Sequence, residues 1–507
     1  MRDHGAVGVG WEGDIVAIDK SAIIGFLKEL GYEADNSMDV YIEQWKSWYS
    51  GKVASFHNYK FWNGVSAIEE TMSSLQLGKY VSEQWANLLF NEKCIIAIDD
   101  RTPAPEGNGD VVTTGVTGES QTAQFVRDVF DRNDLYVKIN EFQEKKSAFG
   151  TVAYIPYHSD GRIVMSYALA DQMIPLSWEY GYVKELCVYS RYVADGKEYI
   201  FVQLFVIDDS AGAYTIKNIL LTEDEAARKD GRSKYEKVEN LQAIKGFENV
   251  EPEVVGSETR PFVVDRLNIA NNIDVDSPFG LSVFANAIDS MKMCDTIFES
   301  YVNEFILGRK RVMVSPEAIM TMDGKPVFNP KDKVFYQLPV GVKKNEKPFV
   351  QELDMSIRAD EHQKSLQDAL NTFSYQCGLG ENFVRPTGHG ITTATQVISE
   401  NNAMFRTLKK HEVVLESVIV DLIRLIIEIG IRHKLAPGLN PDAKITVKFD
   451  DSVIEDKDQE IKRRMAQVAQ GTLDPLKFNA WYYNVPEDEA EKLMPRMPAG
   501  NAEEGMQ

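Results

Sequence analysis

The side chains able to do chemistry are carboxylates, thiols and imidazoles, and their spacing matches no common reaction. The densest acidic cluster is Asp450, Asp451, Glu455, Asp456, Asp458 and Glu460. Calcium is held by such oxygens, and an EF-hand loop sets them around an invariant glycine with a bidentate glutamate at its end. This stretch has neither, so it reads as the solvated start of a helix. Cys94, Cys187, Cys294 and Cys377 lie far apart, with no pair at CxxC spacing. No zinc or redox motif is visible, and free thiols in a reducing compartment fit best. The seven histidines are scattered, and only His389, in a glycine-rich loop, is placed to meet a ligand. There is no GxxxxGK(S/T), no HExxH, no GxSxG and no GxGxxG set between a strand and a helix. ATP hydrolysis through a P-loop, zinc proteolysis, nucleophile-elbow chemistry and dinucleotide binding are therefore not indicated. A glycosidase-type hydrolase needs only two carboxylates, but the spacing nominates no pair. No enzyme activity, metal or cofactor is expected.

At 507 residues the chain is too long for one core and should divide into two to four domains. The opening residues, MRDHGAVGVGWEGD, carry no apolar core of the length a signal peptide needs, so the protein is expected to stay in the cytoplasm where it is made. The most apolar run, VVLESVIVDLIRLIIEIGI from Val413 to Ile431, contains Glu416, Asp421, Arg424 and Glu428. A bilayer would have to bury all four, so a soluble amphipathic helix is the reading. The net charge of −22 argues against a broad basic face that grips nucleic acid through its phosphates. A mostly acidic wall with a few basic points instead lets a polyanion pass without sticking.

The elements that must position these groups begin with the stretch from Asp274 to Val314. Ser277 as N-cap, Pro278 at the first helical position and Gly308 as a left-handed stop predict one long capped helix. Phe284, Ile288, Met291, Asp295, Phe298, Val302 and Phe305 form a seam of period ~3.5, which suits packing against copies of itself, with Asp295 the one polar member. Arg309, Lys310 and Arg311 follow its end, where they complement the helix dipole or touch a polyanion. Residues 1 to about 93 read as helical, with Trp45, Trp48 and Trp85 as core. From Ile95 to about Val264, runs such as AYIPYHSDGRIVMSYAL and RYVADGKEYIFVQLFVI predict meandering hairpins, the second bending at Asp195 and Gly196. The helical segment QTAQFVRDVFDRNDLYVKINEFQEKKSAFG precedes them.

After Val314 a proline-punctuated, strand-containing module leads to a helix with Leu366, Leu370, Phe373 and Cys377 on one face. A small β module is thus carried between two helices. The glycine-rich loop 378–392 follows, and Thr393 with Gln396 forms a capping box that opens a helix of about forty residues. The segment ITVKF is a short strand, and the remainder is acidic and helical.

In this order, WKSWYSGK, GKYVSEQWANLLFNEKC, the SPFG stretch running into NEFILGRKRVMV, and ITTATQVISENNAMFRTLKKHE resemble the portal proteins of tailed bacteriophages, specifically those of siphophages of Gram-positive hosts. The resemblance implies an α+β portal fold: a mixed α/β wing, a two-helix stem, a small β-containing clip, a long wing helix and a helical crown. On this map the wing is 1–275 with 393–450, the stem 277–308 and 358–377, the clip 309–357, the tunnel loop 378–392 and the crown 451–507. It further implies a ring, usually of twelve subunits, at one capsid vertex, assembled in the host cytoplasm with scaffold and major capsid protein. The terminase large subunit would drive double-stranded DNA through it, connector proteins would later replace the motor, and no membrane is involved. Position on the map makes Asn382, Arg385 and His389 candidates to face DNA. Asp289, Lys292, Asp295 and Glu299 become candidates for the channel wall or subunit contacts, and Arg309, Lys310 and Arg311 mark the stem–clip junction. Another virion part, such as an adaptor, capsid or tail protein, and a carboxylate-dependent hydrolase stay open as alternatives.

Overall fold

The computed structural model describes residues 18–62, 67–100, 115–117, 120–208, 212–223, 234–256, 258–308, 311–314, 335–337, 350–353, 356–381, 383–384, 394–449, 457–483 and 490. Helices α1 (Lys20–Glu29), α2 (Asp39–Tyr49) and α3 (Ala54–His57) come first, then the hairpin β1 (Asn58–Trp62) and β2 (Ala67–Thr71), and α4 (Leu77–Leu89). Strands β3 (Ile95–Asp99) and β4 (Gly115–Thr117) and helices α5 (Gln121–Arg132) and α6 (Leu135–Phe149) follow. The strand-rich stretch comprises β5 (Thr151–Ser159), β6 (Arg162–Leu169), β7 (Met173–Glu179), β8 (Tyr182–Ala194), β9 (Lys197–Asp208), β10 (Ala213–Glu223), β11 (Tyr235–Lys237), β12 (Glu253–Val255) and β13 (Val263–Arg266). Then come α7 (Ile288–Leu307), β14 (Arg311–Val314), β15 (Phe335–Gln337), β16 (Val350–Leu353), α8 (Ala359–Gln376), α9 (Ala394–Arg432), β17 (Lys444–Lys448), α10 (Lys457–Ala469) and α11 (Pro475–Tyr483). The chain forms two compact units, one of residues 1–46, 80–283 and 405–507, the other of 47–79 and 284–404.

In the first unit, strands β7 to β11 make a meander in sequence order, with β12 also paired to β10. Two-residue loops join β5 to β6, β7 to β8 and β8 to β9, and the residues at their bends, Asp160–Gly161, Tyr180–Gly181 and Asp195–Gly196, all have positive φ. That is the turn geometry whose twist matches antiparallel strands. Ile23, Ile24 and Leu27 of α1 seal one sheet face against Ile174, Val202 and Leu204, after Asp19 caps the helix by accepting from the Ser21 and Ala22 amides. A second sheet, β13–β5–β6, lies against α6, and there the Lys146 ammonium donates to Asp265 at 3.1 and 3.3 Å in the interior. Gln143 adds a bond of 2.7 Å to the same carboxylate, so the buried charges are matched. The predicted strand ITVKF forms as β17 and pairs antiparallel with β3, returning the chain to residue 95 after the 39-residue α9.

Three local expectations are corrected. Ser277 and Pro278 do not open a helix, because α7 begins at Ile288 behind a short 3-10 turn. Tertiary contacts hold the intervening strap open: Ser277 donates to Asp35 at 3.2 Å, the Gly280 amide bonds Thr151 Oγ1 at 2.8 Å, and the Val283 amide bonds the Ser147 carbonyl at 2.9 Å. Gly308 ends α7 with φ −75°, not left-handed, and its amide bonds the Glu304 carbonyl at 2.8 Å as any helical residue would. The first 93 residues are not all helical. NYKFW and AIEET pair as the β1–β2 hairpin, tied across by Lys60 and Glu69 and closed at its base by the Met72 amide on the His57 carbonyl at 2.7 Å.

The second unit is built on α7 and α8, antiparallel and joined through the three-stranded sheet β15–β14–β16. The β14–β15 pairing is parallel and β14–β16 antiparallel. Leu366, Leu370, Phe373 and Cys377 are buried, as their spacing predicts, and so are Met291 and Cys294 of α7, against which α8 packs.

Candidate functional site

The two helices of the second unit are clasped at both ends. Near the start of α7, Ser290 Oγ donates to Gln376 Oε1 at 2.7 Å. Near its end, Arg358 grips Glu304 with Nε at 3.0 Å and Nη2 at 2.9 Å, and His362 Nε2 lies 3.6 Å from the same carboxylate. The forked guanidinium matches the carboxylate plane and holds the Glu304 pKa down, to about 2. These clasps fix the orientation of the small sheet that the helices carry.

Between the clasps the Asp295 carboxylate is 2% exposed and receives three hydrogen bonds. Leu75 N donates to Oδ1 at 2.8 Å, while His57 Nε2 at 3.0 Å and Ser74 Oγ at 3.2 Å reach Oδ2. His57 Nδ1 accepts the Val53 amide at 3.0 Å, which assigns the ring proton to Nε2. One turn on, Glu299 accepts the Ser73 amide at 2.9 Å. The flanks of the β1–β2 hairpin are therefore pinned to the middle of α7.

A serine, a histidine and an aspartate so close suggest a hydrolytic triad, but the order is wrong. In a triad the imidazole stands between hydroxyl and carboxylate and takes the hydroxyl proton. Here the carboxylate is in the middle, and the second imidazole nitrogen is spent on the backbone, so no imidazole is placed to take the Ser74 proton. The thiols are equally unsuited to nucleophilic work: burial pushes Cys94 and Cys294 up to about 12, aided by Glu412 and Asp295 respectively. Among the described residues no cluster of three or more His, Cys, Asp or Glu side chains could hold a metal ion.

The outward strip of α7 is Asp289, Met293, Thr296 and Ser300, preceded by the exposed Asn286 in the 3-10 turn, and is nearly devoid of cations. The Asp289 side chain is 96% exposed, and Lys292, the nearest positive charge on the helix, pairs with it at 3.0 Å. Asp295 and Glu299, expected on the same footing as these two, instead anchor the unit internally. The seam predicted to face copies of the chain is buried within its own unit at Phe284, Met291 and Asp295, half-buried at Ile288, Phe298 and Val302, and exposed at Phe305, at 46%. Arg311 opens β14 opposite Leu353. Asn382, Arg385, His389, Arg309 and Lys310 lie outside the described residues, as does the Thr393 end of the capping box and the acidic run 450–456. His57, Ser74, Glu304 and Arg358 were missed by sequence reasoning, since their partners are remote in the chain and nothing local marks them.

In the first unit, His411 accepts the Asn268 amide at 3.1 Å through Nδ1 and meets the Trp85 ring edge-on at 5.1 Å. Burial, with Lys146 and Lys410 adding repulsion, lowers its pKa to about 3. A cleft of about 290 Å³ opens where α5, the β5–β6 turn and the chain after α9 converge. At the other end of the sequence, α10 and α11 present Lys462, Arg463 and Lys477 with Trp481, Tyr482 and Tyr483, and the Arg464 guanidinium lies 4.1 Å from the Trp481 ring centre.

Residues 40–493 match the family described as "Phage portal protein, SPP1 Gp6-like". The chain belongs to this portal protein family. It is accordingly a phage structural protein of the portal or connector type, implicated in DNA packaging and ejection at the capsid vertex, and its family is not catalytic. No curated protein sequence matches the chain. Two solved structures resemble it distantly, one described as "Virion of native gene transfer agent (GTA) particle" and one as "Neck of empty GTA particle computed with C6 symmetry". Each is 10% identical, with a TM-score of 0.36, covering 81% of this chain and 90% of the other. Among the described residues no helix is long and apolar enough to cross a membrane.

Proposed function

We propose that this portal family member is the subunit of a ring at one capsid vertex, through which the terminase motor packages double-stranded DNA and from which DNA later leaves. The observation that carries the reading is the clasped helical hairpin α7–α8 with the small sheet at its end, in a chain that matches the portal family over nearly its whole length. On this reading α7 and α8 are the stem and β14–β16 belong to the clip, where terminase and then connector proteins dock. The segment 378–392 is the tunnel loop, with Asn382, Arg385 and His389 meeting the DNA backbone without regard to sequence. The helices α10 and α11 belong to the crown. The wing is the remainder, and scaffold and major capsid protein are assembly partners in the host cytoplasm, for a phage of the siphophage class.

The outward strip of α7 suits a channel wall. A polyanion that must move past a surface is slowed by each unpaired cation, and this strip offers Asp289 with its paired Lys292 and otherwise neutral groups. Electron micrographs of the purified full-length protein, with mass measured on the same sample, test the proposal. Rings of twelve or thirteen copies with an axial hole wide enough for duplex DNA are expected, and a closed dimer with no channel would refute it.

A further inference from the structure

The C-terminal helices carry a constellation that a channel wall does not use. The α10–α11 hairpin turns at Gly471, with φ +72°, and closes where the Thr472 amide bonds the Gln467 carbonyl at 2.9 Å. The second helix is capped by Asp474, whose carboxylate accepts the Leu476 amide at 2.9 Å. Across the hairpin the Arg464 guanidinium lies 4.1 Å from the centre of the Trp481 ring. That contact sets the level of the two helices. Lys462 and Arg463 on one side and Tyr482 and Tyr483 on the other fall within two residues of it, about 3 Å of rise.

Past the first turn of α10, which holds Asp458 and Glu460, the cations Lys462, Arg463, Arg464 and Lys477 meet one carboxylate, Asp474, already engaged as the cap of α11. Lys462 and Lys477 are exposed and pair with no carboxylate among the described residues. Lys477 stands four residues before Trp481, so the two share a face of α11. Trp481, Tyr482 and Tyr483 are 37%, 48% and 53% exposed, while Phe478 is buried and stacks with Tyr482 at 5.7 Å. In a chain of net charge −22, this end of the hairpin sets an excess of positive charge beside open rings.

Cations that meet phosphates, interleaved with rings on which bases stack, are what a nucleic-acid strand with accessible bases requires. A protein partner matches less well, because lysine is depleted from protein interfaces. A duplex hides the faces of its bases except at its ends, so the rings favour a single strand over paired DNA. We propose that this end of the α10–α11 hairpin binds single-stranded DNA, as at the frayed end of a duplex, with Lys462 and Lys477 on phosphates and Trp481 and Tyr483 against bases. The choice of DNA over RNA rests on the portal reading.

The test is fluorescence anisotropy of the full-length protein with a short fluorescein-labelled DNA, as a single strand or a blunt duplex, over a range of salt. The single strand is expected to bind more tightly than the duplex. Tyr483→Ala should weaken strand binding about 10-fold and leave its salt dependence unchanged. Lys462→Gln with Lys477→Gln should instead lower the slope of log K against log salt by about 1.4, for two phosphate contacts. All three side chains are exposed, so melting of the variants should match wild type. If the duplex binds as tightly as the strand, if RNA of the same sequence binds more tightly, or if the variants bind as wild type does, the inference is overturned. It is also overturned if Tyr483→Ala changes the protein concentration needed for assembly, read by mass photometry, with DNA binding intact, since the surface then joins copies of the chain. Rings that form without binding the strand leave the portal reading standing. Strand binding that the variants lose, in a protein that forms no ring, leaves this site standing and removes the ring.

Discussion

Asp295 in the middle of α7 and His57 at the end of α3 meet at 3.0 Å across 238 residues of sequence. The bond ties the base of the β1–β2 hairpin to the helix that carries the small sheet. Replacing Asp295 by asparagine turns an acceptor toward donors, leaving buried N–H groups unmatched. A loss of about 3 kcal/mol in urea unfolding is expected. Coupling to His57→Ala in a double-mutant cycle should exceed ~1 kcal/mol; strictly additive losses would show that the two side chains act independently.

The clasp between Glu304 and Arg358 makes the helical hairpin sensitive to acid in one window. The Glu304 pKa is held at about 2 by Arg358, below the value of ~4.3 for an unfolded glutamate. Unfolding therefore takes up a proton between these values. The stabilisation is complete above pH ~4.3 and is lost as pH falls toward 2. Thermal melts followed by circular dichroism across that range should show a shallower decline for Arg358→Ala than for wild type, and identical slopes would exclude the clasp as the cause.

Much of this architecture is written in local pattern. The Asp160–Gly161 and Asp195–Gly196 turns, the buried face Leu366, Leu370, Phe373 and Cys377, the length of α9 and the strand at 444–448 all follow from spacing and turn chemistry. The Tyr180–Gly181 turn was illegible because tyrosine is not a turn former, and the start of α7 was misread because the bonds that open the 277–284 strap come from residues more than a hundred positions away. For the site, the anomaly of a carboxylate in an apolar seam was visible at Asp295, but its function as an internal anchor was not. Pairing with His57, Ser74 and Leu75 is a property of the folded chain, and no local period encodes it.

His411 sets a second pH dependence, located in the first unit. Its pKa is lowered to about 3 by burial and by the nearby Lys146 and Lys410, against ~6.5 when unfolded. The unfolded chain then binds one more proton between these values, so stability rises with pH from 3 to 6.5 and is level above. Acidification from 6.5 to 3 therefore costs on the order of a few kcal/mol of stability, and nothing of this cost is felt at neutral pH. His411→Gln can still accept the Asn268 amide without titrating, and its melting temperature should depend less on pH between 4 and 6.5 than that of wild type. An unchanged profile would assign the dependence to other groups.

The strap that displaces the predicted start of α7 rests on two glycines that face one another. A Cβ added to Gly280 would lie 2.5 Å from the Gly150 carbonyl oxygen, and one added to Gly150 would lie 2.3 Å from that of Gly280. Both obstacles are backbone, which cannot swing aside as a side-chain end can. Gly150 also has φ +82°, so alanine there is strained twice over. If close approach holds the strap in place, Gly280→Ala should destabilise the first unit by about 2–3 kcal/mol. Gly161→Ala, also at positive φ but with open space around its Cβ, should cost about 1 kcal/mol through backbone strain alone. Chemical denaturation of the two variants separates these effects. Equal losses would mean that the Gly150–Gly280 approach contributes nothing beyond ordinary turn strain, and that the side-chain bonds of Ser277 and Thr151 hold the strap unaided.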